Sequence, residues 1–258
     1  MDKSRQISSI SESDEERMLL VRVCDKLERA RERDLAANSC FLTPRQQALL
    51  RTLLPQCGFF GGTEGAERAV AYFLPEYLTA EDYFDADVIA CLKLGFYEKN
   101  ALSHRNILGA LMGCGIKRES IGDIIVGENE AFVFVLAELK KYLRDNLSSA
   151  GRHHLSVSEV APETVVKPPQ KMKELRVTVS SLRLDGVVSA AFHVSRGRAC
   201  ELIRAGDVSL NSLVCQKADR MISVADELSV RGMGKMKLLS EHGQTRKDRT
   251  AITVGVYI

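Results

Sequence analysis

Apolar residues recur at helical spacing near the start of the chain. After Ser13 they fall at Leu20, Cys24, Leu27 and Ala30, and Ser13 with Glu16 forms a capping box, which predicts a helix that buries this stripe. A second helix is predicted from Pro44, a good first-turn residue, through Leu49, Leu50, Leu53 and Leu54. In "CGFFGGTEGAERAVAYFLPEYL" the glycines read as a tight turn before a strand at Ala69–Phe73. Residues 1–80 are therefore expected to form an N-terminal helical and α/β region.

The pattern then shortens. "DVIACLKLGF", "IGDIIVG", "AFVFVLA" and "HHLSVSEV" have the β-branched, aromatic or alternating character of strands. "SHRNILGALMGCG" reads as a capped helix with Gly115 near its end, and "AELKKYLRDNL" as an amphipathic one. The order strand–helix–strand–strand–helix–strand predicts a ferredoxin-like, or RNA-recognition-type, plait over residues 81–165. The aromatic signature by which such sheets stack bases is not evident, so the fold does not settle function. "APETVVKPPQKMKE" reads as an extended boundary, which makes residues 166–180 a linker and leading strand.

In "HVSRGRACELIRAGDVSLN" Ser195 is placed to cap a helix and Gly206 to end it in the left-handed conformation. Ala199, Leu202 and Ile203 form the buried stripe, and Arg198, Glu201 and Arg204 fall on the opposite arc with Arg196 at the open N-terminus. Val208 and Leu210 then alternate as in a half-buried strand. A merely solvated face would show the same local pattern.

Charge changes that picture. The net charge of the 258 residues is +2, but residues 167–258 carry +7 and residues 1–166 carry −5. A basic C-terminal third on an acidic body points to a polyanion partner. The polar N-terminus is neither a signal nor a transit peptide, and no apolar run approaches the roughly 20 residues that cross a bilayer. Seven scattered cysteines without a C-x-x-C pair fit a reducing cytoplasm better than a disulfide framework or a zinc site. No cofactor and no membrane partner are expected.

Catalytic patterns are missing. "GGTEGAE" lacks the Gly-Lys-Ser/Thr end of a phosphate loop and is misplaced for a methyltransferase turn. "LRLD" has no second copy that would serve a pseudouridine synthase, and His153-His154 reads as the start of a strand rather than a ligand pair. The expectation is a protein that is not an enzyme. An RNA-modifying enzyme and a cell-division adaptor are the rival readings.

Two resemblances sharpen it. "RLDGVVSAAFHVSRGRACELIRAGDVSLN" and "DELSVRGMGK" resemble the S-four RNA-binding domain, two short helices on a small bent sheet, here over residues 181–258. The sequence departs from it at Ser212 and Ala225, where glycine is usual, so the hairpin at Asn211 is expected to be built differently. "FLTPRQQALL", "GGTEGAERAVAYFLPEY" and "LSHRNILGALMGCGIKRESIGDI" resemble the YlmH-type S-four proteins of bacteria, over most of the chain. The resemblance implies an α+β chain that binds ribosomal RNA and tRNA on the large ribosomal subunit during rescue of stalled synthesis, as a cytoplasmic monomer. The residues expected to meet RNA are Arg183, Ser195, Arg196, Arg198, Arg204 and Lys217. His104, Arg105, Lys117 and Arg118 are expected to form a second compact cluster.

Overall fold

The Ser13 hydroxyl accepts from the Glu16 amide and starts the helix Asp14–Glu32, which buries Leu20, Cys24 and Leu27. Thr43 and Gln46 cap each other reciprocally at the head of the helix Pro44–Leu53, with Pro44 in its first turn. Both pack beside a three-stranded antiparallel sheet in which Ala69–Phe73 lies between Ala37–Leu42 and Gly58–Phe60. The two outer strands went unseen in the sequence: Gly58–Phe60 is too short to carry a pattern, and Ala37–Leu42 lies between two helical stretches. In the computed structural model, residues 3–85, 87–99, 101–245 and 248–258 are described, and the chain divides into two compact units, Met1–Lys167 and Pro168–Ile258.

The rest of the first unit is a four-stranded antiparallel sheet in the spatial order Ile121–Val126, Glu130–Leu136, Ile89–Gly95, Ser156–Val160. The helices His104–Gly113 and Lys140–Asn146 follow its first and third strands in chain order. Leu92, Leu94, Val133 and Val135 point to one side, where they meet Ile107, Leu111 and Leu143 from the helices. Ile89, Cys91 and Phe134 point to the other, where Phe41, Val70 and Val165 cover them. Gly62 shows how close that packing is: its φ is +91°, and a Cβ there would stand 2.6 Å from the Phe134 ring. The strands expected near residues 69 and 89 thus share one core.

In the second unit a six-stranded antiparallel sheet runs Met172–Val179, Thr250–Tyr257, Gly234–Gln244, Glu227–Val230, Val208–Leu210, Leu213–Val214. The helices Leu184–Ala191 and Arg196–Ala205 join its core through Val187, Val188, Ala199, Leu202 and Ile203. Gly206 ends the second helix at φ +83°, as its position predicts.

The turn after Val208–Leu210 corrects one expectation. Leu210 pairs with Leu213, so Asn211 and Ser212 form a two-residue turn, and both are left-handed at φ +49° and +68°. That is the positive-φ pair of an ordinary tight hairpin, with serine bearing the strain glycine would avoid. Asn211 holds it in place, donating to Asp226 Oδ1 at 2.8 Å and accepting from the Glu227 amide at 2.9 Å. Ala225, the other substituted glycine, likewise sits at φ +76°.

The expected boundary segment is anchored at its start, although most of its residues are exposed. Val165 is buried, and its carbonyl accepts from Thr63 at 2.6 Å. Lys167 reaches the buried Asp123 at 2.9 Å, and the strand Met172–Val179 begins five residues later.

Candidate nucleic-acid interface

Ser195 caps the helix Arg196–Ala205 by accepting from the Arg198 amide at 3.1 Å. Arg196, Arg198 and Arg204 are all exposed, whereas the stripe Ala199, Leu202 and Ile203 is buried. Arg198 pairs with Glu201 one turn on, at 3.0 Å, with both side chains more than half exposed. Such a pair holds a guanidinium weakly and leaves it available to a stronger anion. Lys217 is exposed on the segment between the strands Leu213–Val214 and Glu227–Val230, and the neighbouring Gln216 donates to the Arg204 carbonyl at 3.2 Å.

The organising group is one the sequence reading did not assign. Asp185 is 2% exposed, in the first turn of the helix Leu184–Ala191. Arg183 grips it bidentately, Nε to Oδ1 and Nη2 to Oδ2, both at 3.2 Å. Arg196 approaches Oδ2 with Nε at 3.1 Å and Nη2 at 3.0 Å, and the Gly186 amide donates to Oδ1 at 2.8 Å. Burial alone would raise the carboxyl's pKa, but the hydrogen bonds and charge of Arg183 and Arg196 outweigh it and hold it below its usual value. The hydrogen bond to Asp185 in turn raises the Arg183 pKa. One buried carboxylate therefore orients two of the predicted arginines, whose side chains stay 38% and 53% exposed. A signal was present in the sequence. A lone acid within the apolar arc of Leu184, Val187 and Val188 needs a cationic partner when buried.

The second predicted group is divided between the two ends of a helix in the chain. His104 and Arg105 open the helix His104–Gly113, while Lys117 and Arg118 follow its end in the chain. Arg118 is half-buried, with Nη1 on the carbonyls of Ile121 at 2.7 Å and Gly122 at 3.3 Å. Arg68, also missed, donates to the carbonyls of Ile121, Phe41 and Arg118 at 2.8, 3.0 and 3.2 Å. Burial, and then the charge of Arg118, pulls the Arg68 pKa down to about 10. Both cations staple backbone to backbone. Of the four predicted residues, His104, Arg105 and Lys117 remain exposed.

Base stacking on the four-stranded sheet is obstructed as well. The face turned away from the helices carries Ile89, Cys91 and Phe134 under Phe41, Val70 and Val165, and its half-buried Phe132 sits beneath Lys93. Among the described residues no group of three or more His, Cys, Asp or Glu is placed to hold a metal, and no helix is long and apolar enough to cross a membrane.

Fold and surface define an α+β protein in which an arginine-bearing helix packs on the sheet of a basic C-terminal unit. Residues 87–164 match the family model described as "Putative RNA-binding domain in YlmH". The "Ribosome-associated protein quality control protein P2" of Bacillus subtilis is 33% identical over 218 residues, covering 83% of this chain and 84% of that protein. A solved structure of "Cell division protein ylmH from Streptococcus pneumoniae" aligns with 58% of this chain and 93% of its own, at 21% identity and a TM-score of 0.48. The chain belongs to the YlmH family.

Proposed function

We propose that this protein is a non-catalytic binder of structured RNA that acts on the ribosome. Its targets are ribosomal RNA and tRNA on the large subunit, during rescue of stalled translation. The C-terminal unit, an S-four-type module, supplies the main surface through Arg183, Ser195, Arg196, Arg198, Arg204 and Lys217. The 87–164 plait contributes through the exposed His104, Arg105 and Lys117.

The observation that carries this reading is the shared carboxylate of Asp185. It fixes two guanidinium groups at the capped head of a helix whose outer arc adds Arg198 and Arg204. A helix N-terminus with preset arginine forks suits phosphate oxygens. Such contacts give affinity and register rather than sequence choice, which fits a partner recognised by shape. The curated relative's ribosome-associated quality-control name and the RNA-binding family model support the same reading.

Crosslinking in cells, followed by sequencing of the attached RNA, tests it. Reads concentrated in large-subunit ribosomal RNA and tRNA are expected. A protein partner that survives nuclease, with no enriched RNA, would favour the adaptor reading instead.

A further inference from the structure

A cavity of the first unit, about 1330 Å³, is lined by Arg17, Arg22, Arg68, Lys117 and Arg118 and also by Glu12, Glu15, Glu16 and Glu119. Arg22 is paired with Glu119 across it, and Arg45 nearby with Glu12 and Glu16. A cleft whose cations are largely offset by its own carboxylates, with Arg68 spent on backbone carbonyls, offers little attraction to an anionic strand.

The second unit holds a groove of the opposite kind, about 550 Å³, between the end of the strand Met172–Val179 and the helix Leu184–Ala191. Its wall includes Arg196 and Arg249 together with Thr178, Ser180 and Ser189, and no acidic residue. Arg249 is exposed and spends one N–H on the Thr178 carbonyl at 2.5 Å, which fixes the side chain and leaves most of its five donors. Arg196 is fixed from behind by Asp185. His193 reaches the same groove from a left-handed backbone at φ +55°, a conformation that L residues seldom adopt outside constrained sites. Gly186 adds an open stretch of backbone to the wall, since a Cβ there would meet only the Ser181 carbonyl, at 3.5 Å.

We propose that this groove seats a backbone phosphodiester of the bound RNA, clamped between Arg196 and Arg249. The inference rests on the RNA-binding function proposed above and extends it across the module, away from the outer arc of the Arg196–Ala205 helix. Two guanidinium groups on one groove, with Asp185 holding Arg196 and no carboxylate in the lining itself, suit a singly charged phosphate with two free oxygens. The exposed Thr178 and Ser180 hydroxyls are donors for the same oxygens, whereas Ser189 donates to the Val194 carbonyl at 2.7 Å.

The test is a salt titration of the full-length protein binding to purified bacterial large ribosomal subunits. It compares wild type with Arg249→Ala, Arg249→Lys and Ser180→Glu, each checked by thermal melting. Arg249→Ala should lower the slope of log affinity against log salt by about 0.7–0.9, the effect of one lost phosphate contact. Ser180→Glu, at an exposed rim position, should weaken binding about tenfold or more at low salt without a change in melting temperature. Arg249→Lys should retain most of the slope. If wild type binds while folded Arg249→Ala and Ser180→Glu match it in affinity and slope, the groove is not a phosphate site. If wild type itself does not bind, the functional reading fails first, and the two failures are distinct.

Discussion

Asp185 Oδ2 stands 3.0 Å from Arg196 Nη2 and 3.2 Å from Arg183 Nη2, so two arginines from two helix starts converge on one buried oxygen. The pair joins the head of the helix Leu184–Ala191 to the head of the helix Arg196–Ala205. Asp185→Asn keeps the shape and removes the charge, leaving two guanidinium groups without their anchor. It should destabilise the second unit by about 1–3 kcal/mol near neutral pH. Because the arginines hold the carboxyl's pKa below its usual value, the contribution is present above the ordinary carboxylate range and is lost as pH falls through the folded value. Denaturant unfolding of wild type and variant should therefore converge in acid, below about pH 4. A difference between them that stays constant from neutral pH to pH 3 would contradict this account.

The strained turn residues give a prediction with the opposite sign. Ser212 and Ala225 hold left-handed backbones at φ +68° and +76°. Glycine removes the Cβ conflict, which is worth about 1–2 kcal/mol, but it also enlarges the unfolded ensemble. Ser212→Gly and Ala225→Gly should each stabilise the second unit by about 0.5–1 kcal/mol, seen as a rise in denaturant midpoint at constant slope. Ser212→Val should lower the midpoint, since a β-branched side chain is disfavoured there.

These turns also show which parts of the fold were legible. Leu20, Cys24 and Leu27, and likewise Ala199, Leu202 and Ile203, are buried as their spacing requires, because helical periodicity is a local property of the chain. Ser13, Pro44, Ser195 and Gly206 act at helix ends as their chemistry predicts. What stayed hidden depends on partners distant in sequence. Asp185 meets Arg196 eleven residues away, and Arg68 meets Ile121 fifty-three away. The cover over Phe134 comes from Phe41 and Val70, in a different sheet. No window of local pattern encodes those pairings, so the use of Arg118 on the Ile121 and Gly122 carbonyls was not legible in its sequence neighbourhood.

The segment that leads out of the first unit offers a kinetic test. The buried carboxylate of Asp123 accepts from the Glu67 and Arg68 amides, both at 2.9 Å, and from Lys167 at 2.9 Å. Burial works against the charged form of Lys167, but the hydrogen bonds and charges of Asp123 and Glu67 outweigh it and raise its pKa. Limited trypsinolysis should thus cut first after the exposed Lys171, beyond this anchor, and release a folded basic fragment. In Asp123→Asn the backbone around Val165 should lose protection in hydrogen exchange, because the anchor is weakened. Exchange around Val165 that is equally fast in wild type and Asp123→Asn would show that the anchor does not hold in solution.

The two arginines at the head of the Arg196–Ala205 helix should separate stability from binding. Arg198 is held only by an exposed pair with Glu201, so Arg198→Ala should change stability by less than about 0.5 kcal/mol. Arg196 shares Asp185, so Arg196→Ala leaves the buried carboxylate with Arg183 and the Gly186 amide, and the melting temperature should drop measurably. Both should weaken binding to large ribosomal subunits. Their double variant should lower the slope of log affinity against log salt by about 1.4–1.8, twice the single-phosphate value. The decisive case is Arg198→Ala, where folding is expected to be untouched and any loss reports contact with RNA alone. If folded Arg198→Ala binds with wild-type affinity and slope, and Arg196→Ala loses affinity only in proportion to its loss of stability, this helix is a structural element rather than the RNA-binding face.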